Sequence, residues 1–256
     1  MEFQNEIRQK KGKQQIIMLT AYDYQMAKIL DEMRVDLILV GDSLGMVIQG
    51  RPDTKSVTMQ DMTYHTRNVA RGVKETPIIG DMPINSYTTV EDGLKNAKLF
   101  LAAGAHGVKI EGNRPAVVRT LVKNGIPTMG HVGMLPQSAE TYKVKGKEPQ
   151  DAERILRDAI ELDACGAFSI VLECVPESLA KKITETVKAP TIGIGAGKYC
   201  DGQVLVTNDM LGLEDGFKPK FVKKYADLNI IVKSAVAKFR EEVLAGKYPD
   251  DEHTYH

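Results

Sequence analysis

Apolar residues in this chain come in short unbroken runs that stop at a polar or charged residue, and between those runs they recur every three or four positions. The stretch Val35 to Gly45, VDLILVGDSLG, shows the form: apolar without alternation, then glycine, aspartate and serine. A run of that kind suits a parallel strand buried on both faces. The same design appears in TPIIGD, HGVKIE, IPTMGH and AFSIVLE, with IIMLTAYD before them and APTIGIGAG after. The intervening segments carry helix signals. QMAKILDEMR predicts a helix with Met26, Ile29, Leu30 and Met33 on one side, and Thr58 followed by Asp61 predicts a capping box opening a helix to about Gly72. Another helix runs from about Val90 to a left-handed stop at Gly104, and Pro115 fits the first turn of one that closes at Gly125.

Later in the chain PQDAERILRDAIELDACG and ESLAKKITETVK continue the alternation, and Asp227 is expected to cap the final helix, which ends at Gly246. The eighth strand is ambiguous, because LVTNDMLGL and KPKFVKKY both lie before that helix. Alternating strands and helices imply a parallel sheet, and eight rounds favour closure into a (β/α)8 TIM barrel. The 256 residues suit one such domain, with a polar, solvated lead-in at about 1–15 that holds at most one short helix and an acidic tail at about 247–256. The long polar connection Leu135 to Glu148 is a candidate lid over the strand ends, or equally a mobile surface loop.

Composition narrows the classes. Lys plus Arg and Asp plus Glu are both 34, so no basic excess advertises a nucleic acid or an anionic membrane. Cys165, Cys174 and Cys200 form no C-x-x-C pair and read as reduced thiols. The opening MEFQNEIRQKKGKQQ lacks an apolar signal core, and no later run reaches membrane length. A cytoplasmic, unexported protein is the expectation.

The chemistry lies where the runs end. Asp42, Asp81 and Glu111 follow three consecutive strands, at the barrel end where sites are built. Taken singly, each reads as a helix cap or a surface ion pair; together they would repel unless a cation lay among them. An all-oxygen set with room for water suits Mg²⁺, with Mn²⁺ able to substitute. Lys109 shares a face with Glu111 and offers a cation to an anionic ligand, with Ser43 as a hydroxyl donor. This set fits a small α-keto acid, whose adjacent carbon is acidified when a metal polarises the ketone. Glu173, after another strand, is the candidate general base; its alternative is a structural salt bridge. His131 reads as a substrate hydrogen-bonding residue rather than a ligand, and Cys174 as a core thiol. GIGAG, Gly193 to Gly197, suits either a phosphate or close packing at the rim.

The segments LTAYDYQMA, VGDSLGMV, GDMPINSY, VKIEG, GHVGMLPQ, VLECVP, IGIGAGKYCDGQVLV, GFKPKFVKKY and PDDEHTY together resemble the ketopantoate hydroxymethyltransferase family, also called 3-methyl-2-oxobutanoate hydroxymethyltransferase. The resemblance covers Ile16 to Tyr255. It implies a barrel related to the phosphoenolpyruvate/pyruvate superfamily. It also implies transfer of a one-carbon unit from 5,10-methylenetetrahydrofolate to 3-methyl-2-oxobutanoate, giving 2-dehydropantoate for pantothenate and coenzyme A synthesis. By the same resemblance Asp42 and Asp81 are direct Mg²⁺ ligands, Glu111 acts through water, Ser43 and Lys109 contact the keto acid, and Glu173 is the base. The family is cytoplasmic and commonly a homodecamer, a pentamer of dimers. In this sequence SAETYKVKGK is shorter than the family pattern after GHVGMLPQ. The alternative activity is a Mg²⁺-dependent carbon–carbon lyase of the isocitrate lyase and phosphoenolpyruvate mutase type, but the K-x-C-G-H loop of those enzymes is absent.

Overall fold

In a computed structural model, which describes residues 2–139, 143–214, 216 and 219–256, the apolar runs become the staves of a closed parallel barrel in the order β1 to β8. The chain resolves into two compact units, residues 1–206 and 207–256. The first unit begins with α1 (Phe3–Lys10), β1 (Ile16–Thr20), α2 (Tyr24–Glu32), β2 (Leu37–Val40), a single helical turn α3 (Leu44–Val47) and α4 (Met59–Gly72). It continues with β3 (Ile78–Asp81), α5 (Val90–Ala102), β4 (Gly107–Glu111), α6 (Pro115–Lys123) and β5 (Thr128–Gly133). Then come α7 (Pro149–Ala164), β6 (Ser169–Glu173), α8 (Glu177–Thr186), β7 (Thr191–Ile194) and β8 (Gly202–Leu205).

Side chains alternate along each stave, so the barrel has two apolar layers. Inward-facing Met18, Leu37, Leu39, Ile79, Met129, Val171, Ile192 and Val204 fill the interior. Outward-facing residues such as Ile38, Val108, Ile170 and Leu172 pack under the helices with Leu30, Phe100 and Ile155. Both faces are thus buried, which is why the strands read as continuous apolar runs rather than alternating ones.

The local signals were legible. Thr58 and Asp61 form the reciprocal capping box of α4, Pro115 opens α6, and Gly104 and Gly125 take positive φ where their helices stop. Three expectations need correction. The buried residues of α2 are Ala27 and Leu30; of the predicted face Ile29 and Met33 are exposed, because Gly72 brings α4 against Tyr24, Ala27 and Lys28 and the packed side is shifted toward Ala27. The eighth strand is Gly202–Leu205, which meets the first candidate only at Leu205 and lies upstream of the second. This four-residue segment pairs with β1 and β7, and its outward Gln203 breaks the apolar pattern. The lead-in is not merely solvated: Ile7 is buried, Phe3 stacks edge-on against Phe168, and Arg8 donates to the carbonyls of Gly166 and Ala167 at 3.2 and 2.8 Å.

The second unit holds α9 (Thr207–Leu211), where a strand was one expectation, then α10 (Leu228–Leu244) and a 3-10 turn at Asp251–His253. Lys218 of the other candidate strand lies outside the described residues. Asp227 stands at the N-cap of α10 but makes no capping bond with its side chain. No residue of α10 is buried, and Ile230, Ile231, Val236 and Phe239 are all more than half exposed. Among the described residues no helix is long and apolar enough to cross a membrane.

Candidate active site

At the carboxyl ends of the staves the inward columns turn from apolar to charged: Ile79 is followed two positions on by Asp81, Met129 by His131, and Val171 by Glu173. Register then sets the neighbours. Asp81 lies beside Lys109, Glu111 beside His131, and Glu173 beside Gly133. Paired residues on adjacent parallel strands point to the same side, so these groups share the mouth of the barrel. Lys109 Nζ is 2.7 Å from Asp81 Oδ1 and 3.5 Å from His131 Nδ1. His131 Nε2 lies 3.2 Å from Glu173 Oε2, and its Nδ1 lies 3.7 Å from Glu111 Oε2. A polar line therefore runs from Asp81 through Lys109 and His131 to Glu173. Asp42 joins it from the loop after β2, where its own N–H donates to Asp81 Oδ2 at 3.3 Å. Gly133 permits this closeness: at φ 102° its backbone passes so near Glu173 that an added Cβ would lie 2.3 Å from the Glu173 carbonyl.

Burial sets the charge states. Desolvation, reinforced by Asp81, raises Asp42 to about 7. Desolvation raises Glu111 to about 9, against the pull of Lys109 and with help from Asp42 and Asp81. Glu173 rises to about 8, again through desolvation, with Lys109 opposing and Asp81 adding. Burial disfavours the Lys109 ammonium, but Asp81, Asp42 and Glu111 outweigh it and hold its pKa above the ordinary lysine value. Burial, then Lys109, pushes His131 well below its usual value, so the imidazole is neutral. One cation thus faces four acids in a desolvated site.

That imbalance, with carboxylate oxygens outnumbering the one imidazole, fits a hard divalent cation and lacks the thiolates a softer ion would favour. Among the described residues no three His, Cys, Asp or Glu side chains are grouped to hold an ion by themselves.

Residue type alone did not reveal three further members. Gln137, buried in the loop after β5, donates its backbone N–H to Glu111 Oε1 at 2.8 Å. Its side-chain amide donates at 2.9 Å to both Asp42 Oδ2 and the Met82 carbonyl, and accepts from the Tyr87 hydroxyl at 2.6 Å. Tyr22 meets the Ser43 hydroxyl at 2.8 Å, placing Ser43 at the start of α3 beside Asp42. The only signals for Gln137, Tyr87 and Tyr22 were their places in GHVGMLPQ, GDMPINSY and LTAYDYQMA, since neutral polar side chains in loops carry no mark of chemistry.

Other candidates fall elsewhere. The GIGAG loop packs closely: a Cβ at Gly197 would strike Glu177, and the Lys198 N–H already faces Glu177 Oε1 at 3.4 Å. An acid in that cradle favours the packing reading. Cys174 is half-buried with φ 47°, not a core thiol, because the chain turns sharply after β6. The stretch considered as a lid contains the buried Gln137, and Lys145 N–H donates to the Cys174 carbonyl at 2.8 Å; residues 140–142 lie outside the described residues.

Fold and site together define a TIM-barrel enzyme. In fold it is similar to phosphoenolpyruvate phosphomutase from Streptomyces platensis subsp. rosaceus, with a TM-score of 0.65 at 12% identity over 99% of this chain and 91% of that one. It is likewise similar to 2,3-dimethylmalate lyase, a PEP mutase/isocitrate lyase superfamily member, with a TM-score of 0.62 at 13% identity over 100% and 92%. Sequence relatives are far nearer. The 3-methyl-2-oxobutanoate hydroxymethyltransferase of Syntrophus aciditrophicus is 51% identical over 253 residues, 96% of this chain and 93% of that protein. The enzyme of the same name from Caldicellulosiruptor saccharolyticus is 50% identical over 94% of each. Residues 2–251 match the sequence model of ketopantoate hydroxymethyltransferase, and the chain belongs to that family of hydroxymethyltransferases.

Proposed function

We propose that the chain transfers a hydroxymethyl group from 5,10-methylenetetrahydrofolate to 3-methyl-2-oxobutanoate, giving 2-dehydropantoate in a cytoplasmic route to pantothenate and coenzyme A. The observation that carries this reading is the line Asp81–Lys109–His131–Glu173, which puts a protonatable carboxylate opposite a cationic anchor across one buried mouth. Asp42 and Asp81 would hold Mg²⁺, with Glu111 reaching it through water; two carboxylates plus water and substrate oxygens need no three-residue cage. When bound, the ion supplies Lewis-acid polarisation of the keto oxygen.

The chain's own groups do the rest. Lys109 and the Ser43 hydroxyl hold the keto acid's carboxylate end. Glu173, with a pKa of about 8, is basic enough to take the proton from the branched carbon and acidic enough to release it again. Neutral His131 has its Nε2 3.2 Å from the Glu173 carboxylate. The carbanionic carbon then attacks the methylene carbon offered as an iminium by the folate. Water replaces the folate nitrogen, which leaves as the tetrahydrofolate amine and completes the hydroxymethyl group.

The lyase alternative draws no comparable support. Cys165 and Cys200 are buried, and the Cys174 thiol is pushed up to about 11 by burial and by Glu173, leaving it protonated at neutral pH. Self-association is part of the proposal: α10 exposes apolar surface that a second copy would bury. Proton NMR of 3-methyl-2-oxobutanoate in deuterated buffer tests the chemistry. The protein with Mg²⁺ is expected to wash out the branched-carbon proton, and added methylenetetrahydrofolate to convert the acid to its hydroxymethyl product; no exchange and no product would sink the proposal.

A further inference from the structure

Asp81, Lys109, Glu111, His131 and Glu173 are strand residues whose directions the barrel register sets, but Asp42 stands two positions past the end of β2. Its carboxylate needs another anchor, and the contacts of Gln137 supply one. We infer that Gln137, oriented by Tyr87, is a positioning residue that locks the Asp42 and Glu111 carboxylates into one mutual arrangement across the barrel mouth. The inference rests on the cation site of the proposed function and says what keeps that site in shape.

The amide has one workable orientation. A side-chain amide oxygen only accepts and its nitrogen only donates. Met82 O and Asp42 Oδ2, both 2.9 Å from Nε2, are acceptors, while the Tyr87 hydroxyl, 2.6 Å from Oε1 and 3.4 Å from the Glu111 carbonyl, is the one of the three that can donate. Flipping the amide would set its oxygen against a carbonyl and a carboxylate together. With the side chain thus held, the Gln137 backbone N–H reaches Glu111 Oε1 at 2.8 Å, so one residue ties the acid after β2 to the acid ending β4. A glutamate here would add a fifth acid facing Asp42, and an asparagine is one methylene too short to keep both ends.

Titration with Mn²⁺, followed by the paramagnetic resonance signal of the free ion, tests this on the intact protein. Gln137→Met keeps the length and the backbone N–H but removes every side-chain bond. Its dissociation constant is expected to rise by about tenfold or more, with activity recovered at high Mn²⁺. Tyr87→Phe, which removes one hydroxyl, is expected to weaken binding by about threefold. The double variant is expected to bind no more weakly than Gln137→Met alone, because Tyr87 acts through the amide. Wild-type affinity in folded Gln137→Met would overturn the inference, as would wild-type affinity in Tyr87→Phe should Gln137→Met fail to fold. Additive losses would remove Tyr87 from the role. A wild-type protein that binds no Mn²⁺ would overturn the cation reading itself, and this inference with it, before any variant is compared.

Discussion

The two ends of the barrel handle charge in opposite ways. At the amino-terminal ends of the staves Asp31, Asp36, Asp163 and Asp201 are each matched by N–H or ammonium donors. Asp201 takes Lys11 Nζ and the Gly12 N–H at 3.0 Å and the Thr191 N–H at 2.9 Å, while Asp36 pairs with Lys10 and accepts the Ile17 N–H at 2.7 Å. Asp31 and Asp163, late in α2 and α7, clamp the loops entering β3 and β7 through the N–H groups of residues 74–76 and 188–189. At the carboxyl-terminal ends Asp42, Asp81, Glu111 and Glu173 crowd around Lys109, and three of them are pushed toward or above neutrality. Matched charges at one end serve the fold; crowded, desolvated ones at the other raise the pKa values of Asp42, Glu111 and Glu173.

The sharpest break between the ends comes from Glu173→Gln. It is expected to slow exchange of the branched-carbon proton by about 10²–10⁴-fold while keto-acid binding and folding persist. Proton NMR in deuterated buffer reads it, and undiminished exchange would take Glu173 out of the mechanism. Asp201→Ala at the opposite end should do the reverse. Stranding Lys11 and two backbone donors is expected to cost about 3 kcal/mol of unfolding free energy, with kcat of the folded protein unchanged within about twofold. Denaturant titration beside an activity assay separates the two, and a large fall in kcat would mean the ends are coupled.

Acidity should sharpen the contrast. A carboxyl whose folded pKa exceeds its unfolded one holds its proton more tightly in the folded chain. Its contribution to stability is complete below about pH 4 and is lost as pH climbs through the raised values of about 7, 8 and 9 for Asp42, Glu173 and Glu111. Metal-free protein is therefore expected to melt progressively lower between about pH 5 and 9, and added Mg²⁺ to restore the loss most strongly at the alkaline end. A flat profile in thermal melts would contradict the charge imbalance. Smallest in size, Glu111→Gln keeps the acceptor for the Gln137 N–H and is neutral without having to hold a proton that the unfolded chain releases, so at pH 8 without metal it should gain about 1 kcal/mol of stability. A loss of stability would mean that Lys109 needs all its acids.

Much of this protein was readable from the chain because its staves are buried on both faces and announce themselves as unbroken apolar runs. Asp42, Asp81, Glu111, His131 and Glu173 mark where those runs end, and the capping signals at Thr58, Pro115 and Gly104 mark the helices between them. What stayed hidden depends on distance in space. β8 is four residues whose strand character comes from being flanked by β1 and β7, and Ile29 faces outward only because Gly72 admits α4. Gln137 looks like any loop amide until β2, β3 and β4 bring Asp42, Met82, Tyr87 and Glu111 around it. Local patterning determines which residues can occupy a strand end; only closure of the barrel decides which of those ends meet, and so which charges must share one desolvated space.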